Sequence, residues 1–121
     1  MNISAIILAG GVGSRLGGIT SSIPKPMIPV NGKPFIEWII KELRNQGIKK
    51  IILSTGYKAN IIEQYFGNGE KFGVSISYSH EHERLGTAGA IKLALNKTKN
   101  EFFFVLNGDS FCFFELKKIF N

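Results

Sequence analysis

Two almost wholly apolar runs, Ile3–Leu8 and Phe102–Leu106, do most to limit the folds open to this 121-residue chain. A strand that is apolar at nearly every position has neither face in water, as central strands of parallel sheets do. Lys50–Ser54 reads as a further buried strand. Val74, Ile76 and Tyr78 alternate with Ser75, Ser77 and Ser79 as a strand with one wet face. Segments of helical spacing lie between. Phe35, Ile36, Ile39, Ile40 and Leu43 recur at three- and four-residue intervals, with Pro34 as the first helical residue and Gly47 just past the end. Asn60–Phe66 reads as a short helix with Ile61, Ile62, Tyr65 and Phe66 inward. Thr87–Asn96 and Phe113–Phe120 read as two more. Strands alternating with helices predict an α/β fold: three layers, a mainly parallel sheet with helices on both faces.

The length fits one domain over residues 1–121, and 44% hydrophobic residues are enough for a core of its own. No apolar stretch is long enough to cross a bilayer, and the N-terminus lacks the basic-then-apolar pattern of a signal peptide. A single cysteine, Cys112, forms no internal disulfide and suits a reducing cytoplasm. The expected setting is cytoplasmic, with no membrane partner. A formal net charge of +6 raises the question of nucleic acid. The lysines and arginines are scattered, however, and no nucleic-acid module matches. No nucleic-acid partner is expected; small polyanionic substrates suit the same charge.

Leu8-Ala9-Gly10-Gly11-Val12-Gly13-Ser14-Arg15 follows the first strand directly. Glycines let backbone N–H groups approach an anion, and an arginine adds a forked donor. Leu16 stands where a dinucleotide fingerprint needs its third glycine, and no Gly-Lys-Ser/Thr follows to make a Walker loop. The competing explanation is a tight turn that needs glycine for backbone reasons only. Lys25, within Ile23-Pro24-Lys25-Pro26-Met27, adds a point charge and favours a phosphate site. Residues 17–34 hold all four prolines and read as a long irregular segment, a length that is usually functional. Asn107-Gly108-Asp109 ends the second apolar run. Asp109 alone would be a turn residue. At the carboxyl end of a buried strand, where ligands of such sheets bind, it becomes a Mg²⁺ ligand beside phosphates.

The stretch from Glu81 to Gly89, with Gly86 and Gly89, suggests close approach to a ligand at a helix start. His80 and His82 lack further metal ligands at recognisable spacing and read as solvated loop residues. Cys112 has no histidine partner and reads as packing. Trp38 reads as core or an interhelix contact.

Taken in order, these motifs resemble the nucleotidyltransferases that join a sugar 1-phosphate to a nucleoside triphosphate. That family's pattern is met by Leu8–Leu16, by Pro24–Met27 with Asn31–Pro34, by Glu81–Gly89 and by Phe102–Asp109. The branch most resembled is the bacterial guanylyltransferases acting on mannose 1-phosphate or D-glycero-D-manno-heptose 1-phosphate. The resemblance implies a Rossmann-like sheet of the nucleotide-diphospho-sugar transferase type. It implies that Leu8, Ala9, Gly10 and Gly11 line the nucleotide pocket, and that Gly13, Ser14 and Arg15 hold the triphosphate. Lys25 would reach the phosphates, while Glu81 and Gly86 would sit against the base with Thr87 beside them. Asp109 would bind Mg²⁺, so that Arg15, Lys25 and Asp109 form the catalytic set. The Thr-Ala-Gly form at Thr87–Gly89 leans toward guanine, with uridine as the alternative.

The family's pattern continues past the Asn-Gly-Asp strand into a half that supplies a second aspartate, a second lysine and most of the sugar pocket. The chain therefore reads as truncated, with a homo-oligomer or a complementing chain as expected partners. Arg84 stands where proline is common. The resulting expectation is an enzyme taking a nucleoside triphosphate, GTP favoured, and a sugar 1-phosphate to a nucleotide sugar for surface polysaccharide. A non-catalytic nucleotide-binding module, or a uridylyl or other nucleotidyltransferase branch, are the alternatives.

Overall fold

A computed structural model describes residues 3–10, 23–83, 85–97 and 102–108. Strand β1 (Ile3–Ala9) is followed by a 3-10 turn at Lys25–Met27 and a short hairpin of β2 (Pro29–Val30) and β3 (Lys33–Pro34). Helix α1 (Phe35–Asn45), β4 (Lys50–Thr55), α2 (Ala59–Phe66), β5 (Ser75–His80), α3 (Gly86–Leu95) and β6 (Phe102–Asn107) complete the order. The last helix expected at Phe113–Phe120 lies outside the described residues.

Four strands form one parallel sheet in the order β5-β4-β1-β6. Alternate residues of each strand face opposite layers. Ala5, Ile7, Ile51, Leu53 and Ile76 share a core with Ile36, Ile40 and Leu43 of α1 and Ile62 and Phe66 of α2. On the other face Ile6 and Ile52 pack with Ala94 of α3, flanked by Leu8 and Leu95. The expected three-layer α/β architecture is found.

Helix α1 owes its ends to local chemistry. Pro34 is extended and caps the start, so the first helical residue is Phe35 rather than the proline expected. At the other end Gly47 takes φ +92°. Its N–H donates to the Arg44 carbonyl at 2.9 Å and the Ile48 N–H to the Leu43 carbonyl at 2.9 Å. This pair satisfies two orphan carbonyls and buries Ile48 against Leu43.

Several expectations need correction. The described part of the segment 17–34 is not irregular: its prolines build the 3-10 turn and flank the hairpin. Phe102–Leu106 is not buried on both sides. β6 is the outermost strand of the described sheet, and α3 packs over β1, β4 and β5, leaving Phe103 and Val105 37% and 39% exposed. Tyr65 is 41% exposed, because its ring lies along Phe66 and Phe72 while its hydroxyl donates to Glu37 of α1. Trp38 is half-buried and is not an interhelix contact. Its Nε1–H donates to the Val30 carbonyl at 2.8 Å, tying α1 to the hairpin, and Lys33 and Lys41 lie over its ring.

Candidate functional site

Because the four strands are parallel, their carboxyl ends lie along one edge of the sheet, where open α/β sheets bind ligands. β1 delivers Gly10, β4 delivers Gly56, β5 delivers Glu81 and β6 delivers Gly108. Two bonds carry the sheet a step beyond its strands. The Glu81 N–H donates to the Thr55 carbonyl at 2.7 Å, and the Gly108 N–H donates to the Leu8 carbonyl at 2.8 Å.

Space is tight at the glycines here. A Cβ on Gly10 would lie 3.1 Å from Glu81 Oε1, and one on Gly56 would lie 3.2 Å from the Gly10 carbonyl oxygen. A Cβ on Gly108 would lie 3.0 Å from the Leu8 carbonyl oxygen and 3.3 Å from Pro26 Cγ. Backbone from β1, β4 and β6 thereby approaches more closely than most side chains would allow.

Glu81 crosses this edge. Its Oε1 accepts from the Ser54 hydroxyl at 3.4 Å and its Oε2 accepts from the Leu85 N–H at 3.1 Å. The second bond ties the sheet edge to the head of α3, where Gly86 takes φ +76° and Gly86 and Thr87 are exposed. Lys25 is half-buried in its 3-10 turn, and the neighbouring Pro26 packs on Gly108. The turn is thus seated at the same edge as Glu81.

Of the residues singled out in the sequence, Leu8, Ala9, Gly10, Lys25, Glu81, Gly86 and Thr87 are described. Leu8, Gly10, Glu81 and the Lys25 turn come together at this edge, with Gly86 and Thr87 next to the bond that Glu81 makes. Ala9 is fully buried in the core, so its side chain is packing. Gly11, Gly13, Ser14, Arg15 and Asp109 lie outside the described residues. Pro26 and Gly108 lie within the motifs read from the sequence, whereas Ser54 and Gly56 belong to none of them. The available signal was Ser54-Thr55-Gly56, a polar and glycine break at the end of an otherwise apolar strand.

His80 and His82 are exposed, their rings edge to face with centroids 4.8 Å apart. Among the described residues no three His, Cys, Asp or Glu side chains gather as a metal cluster. A phosphate-bound Mg²⁺ needs only one or two protein carboxylates; Glu81, a described carboxylate at this edge, already accepts from Ser54 and Leu85 on its two oxygens, and Asp109 lies outside the described residues.

Fold and edge together define an α/β protein with glycines gathered at the carboxyl ends of a parallel sheet. The profile of the nucleotidyl transferase family matches residues 4–121, and the chain belongs to that family. It is 51% identical over 118 residues to a D-glycero-alpha-D-manno-heptose 1-phosphate guanylyltransferase of Aneurinibacillus thermoaerophilus, covering 98% of this chain and 51% of the relative. It is 40% identical to a mannose-1-phosphate guanylyltransferase of Mycobacterium tuberculosis, covering 88% of this chain and 30% of the relative. The crystal structure of HddC from Yersinia pseudotuberculosis complexed with GMP-PN superposes with a TM-score of 0.86 at 40% identity, over 96% of this chain and 52% of that one. The chain spans about half the length of the first of these relatives. No helix among the described residues is long and apolar enough to cross a membrane.

Proposed function

We propose that this chain is the nucleotide-binding domain, over residues 1–121, of a sugar 1-phosphate guanylyltransferase. In this reading GTP and a sugar 1-phosphate give a GDP-sugar and pyrophosphate in the cytoplasm, for surface polysaccharide synthesis. The observation that carries it is the convergence of Gly10, Glu81, the Lys25 turn and Gly108 at one sheet edge, in a chain 51% identical to a guanylyltransferase.

The chemistry needs little covalent help. A sugar 1-phosphate is already an ionised oxygen nucleophile. That oxygen attacks the α-phosphorus in line, the new P–O bond forms as the bond to the β-phosphate oxygen breaks, and pyrophosphate leaves with the electron pair. The obstacle is repulsion between two polyanions, so positioning and neutralisation carry the catalysis. Leu8, Gly10 and Gly11 line the base pocket, with Ala9 packed behind them, and Glu81, Gly86 and Thr87 form its far side. Gly13, Ser14 and Arg15 take the triphosphate, and Lys25 meets the charge that develops at the reacting phosphate. Asp109, which follows Gly108 directly, would hold Mg²⁺. When bound, that ion neutralises phosphate oxygens.

A second reading is a non-catalytic nucleotide-binding module or a subunit completed by another chain or copy. A uridylyl-transferring branch is the third. A panel of nucleoside triphosphates against several sugar 1-phosphates, read as Mg²⁺-dependent pyrophosphate release, separates them. GTP-dependent release that falls in Arg15→Ala and Asp109→Ala supports the transferase. Tight GTP binding with no turnover removes the enzyme reading and keeps the module. If both variants bind and turn over normally, the site assignment is wrong.

A further inference from the structure

Ser54 belongs to none of the family motifs, yet its buried side chain touches the Glu81 carboxylate. It lies one residue before the end of β4, is fully buried, and donates to Oε1 while the Leu85 N–H donates to Oε2. We propose that Ser54 is a positioning residue for base selection: with the Leu85 N–H it fixes the Glu81 carboxylate as a paired acceptor for a guanine edge. The inference rests on the reading above, in which Glu81 sits against the base.

The argument begins with lone pairs. A carboxylate has about four acceptor sites on two oxygens. One donor on each oxygen leaves acceptor capacity on both and fixes the plane of the group. The Glu81 backbone is fixed as well, by its N–H bond to the Thr55 carbonyl. Guanine presents N1–H and N2–H side by side, two donors that match two acceptors. Uracil presents one N–H between two carbonyls, which sets acceptor against acceptor. Adenine presents an acceptor beside its amino group. A carboxylate held in one orientation therefore accepts guanine and opposes the others, whereas one held through a single oxygen swings about that contact and discriminates less. Ser54 supplies the second point of attachment.

A buried hydroxyl can also serve the fold alone. Ser79 provides the comparison. It faces Ser54 in register across β4 and β5, is 1% exposed, and its hydroxyl has no partner among the described residues. Removing the Ser79 hydroxyl perturbs the same layer without touching Glu81.

The test is titration calorimetry of this chain with the Mg²⁺ complexes of GTP, ITP and UTP. ITP keeps N1–H and lacks the 2-amino group. The wild-type protein should bind GTP more tightly than ITP and ITP more tightly than UTP. Ser54→Ala should weaken GTP by roughly two- to tenfold, the range of an ordinary hydrogen bond, and leave UTP unchanged. Ser54→Thr should restore the preference, and Ser79→Ala should match wild type. Should Ser54→Ala not fold, Ser54→Cys, of similar shape but a weak donor, takes its place. An equal loss for all three nucleotides in Ser54→Ala, or the same change in Ser79→Ala, overturns the positioning role. A GTP preference that survives Glu81→Gln means that the base is read elsewhere: the proposal falls and the transferase reading stands. No nucleotide binding by the wild-type protein removes that reading and the proposal with it.

Discussion

Gly10 and Glu81 meet across the end of an intervening strand, so closely that a methyl group on Gly10 would press on the carboxylate. A Cβ on Gly10 would stand 3.1 Å from Glu81 Oε1, and the atom that must yield is the tip of a side chain. Gly10→Ala should therefore change stability by no more than about 1 kcal/mol. It should displace the carboxylate from Ser54 and Leu85 and weaken GTP binding at least roughly tenfold. Thermal melts and calorimetry on one preparation separate the effects. A large loss of stability with unchanged binding contradicts this account.

Gly69 shows the opposite balance. It takes φ +87°, and a Cβ there would lie 2.8 Å from both Ile76 Cγ1 and the Val74 carbonyl oxygen. The carbonyl is backbone and cannot swing away. Gly69→Ala should cost about 2–4 kcal/mol through strain and overpacking, measurable as a shifted urea midpoint. A cost below about 0.5 kcal/mol, the range of ordinary surface changes, would show that the turn relaxes freely.

Sequence and structure agree most where one physical rule acts alone. The 3.6-residue spacing through Phe35–Leu43 and the glycine at 47 located α1 to within a residue, because propensity, burial and capping favour the same ends. Phe103 and Val105 were misjudged because an apolar run records how a strand is composed and not where it sits in the sheet order. Tyr65 was misjudged because helical spacing assigns a face, while its hydroxyl follows the half-buried contact to Glu37. Glu81 was legible as a motif. Ser54 was not, since its contact spans β4 and β5 and depends on their register.

Tyr78 gives a pH signature. Burial first, and then the nearby Glu63 carboxylate, push its phenol up from 10.0 to about 12, and its hydroxyl donates to the Gly67 carbonyl at 2.7 Å. The folded state holds this proton more tightly than the unfolded state. The contribution is complete below the unfolded value of 10.0 and is lost as pH rises toward about 12. Tyr78→Phe should be less stable than wild type near neutral pH, and should lose less stability than wild type between those two values. Parallel urea titrations at several alkaline pH values measure the difference. Parallel curves for the two proteins would remove Tyr78 from the alkaline transition.

Lys25 tests the catalytic part of the proposal. Its turn is seated by Pro26 against Gly108, which holds the backbone at this edge. Lys25→Ala should lower kcat for pyrophosphate release by about 10²-fold or more, the usual effect of losing a charge at a developing anion. Normal kcat with a raised KM alone would make Lys25 a ground-state binder.

The pairing of Ile3 with Phe102 has a consequence for how the molecule is made. β1 is made before the other described elements, yet its β6 neighbour is synthesised after all of them. Synthesis runs at roughly 5–20 residues per second, so β1 waits for seconds with one side unpaired. Contacts so distant in sequence also slow folding through loop-closure entropy. β1 and β4 can pair early, leaving addition of β6 as the late step that finishes the described sheet. A kinetic experiment following Trp38 fluorescence would see the α1 side form before nucleotide-binding competence arrives.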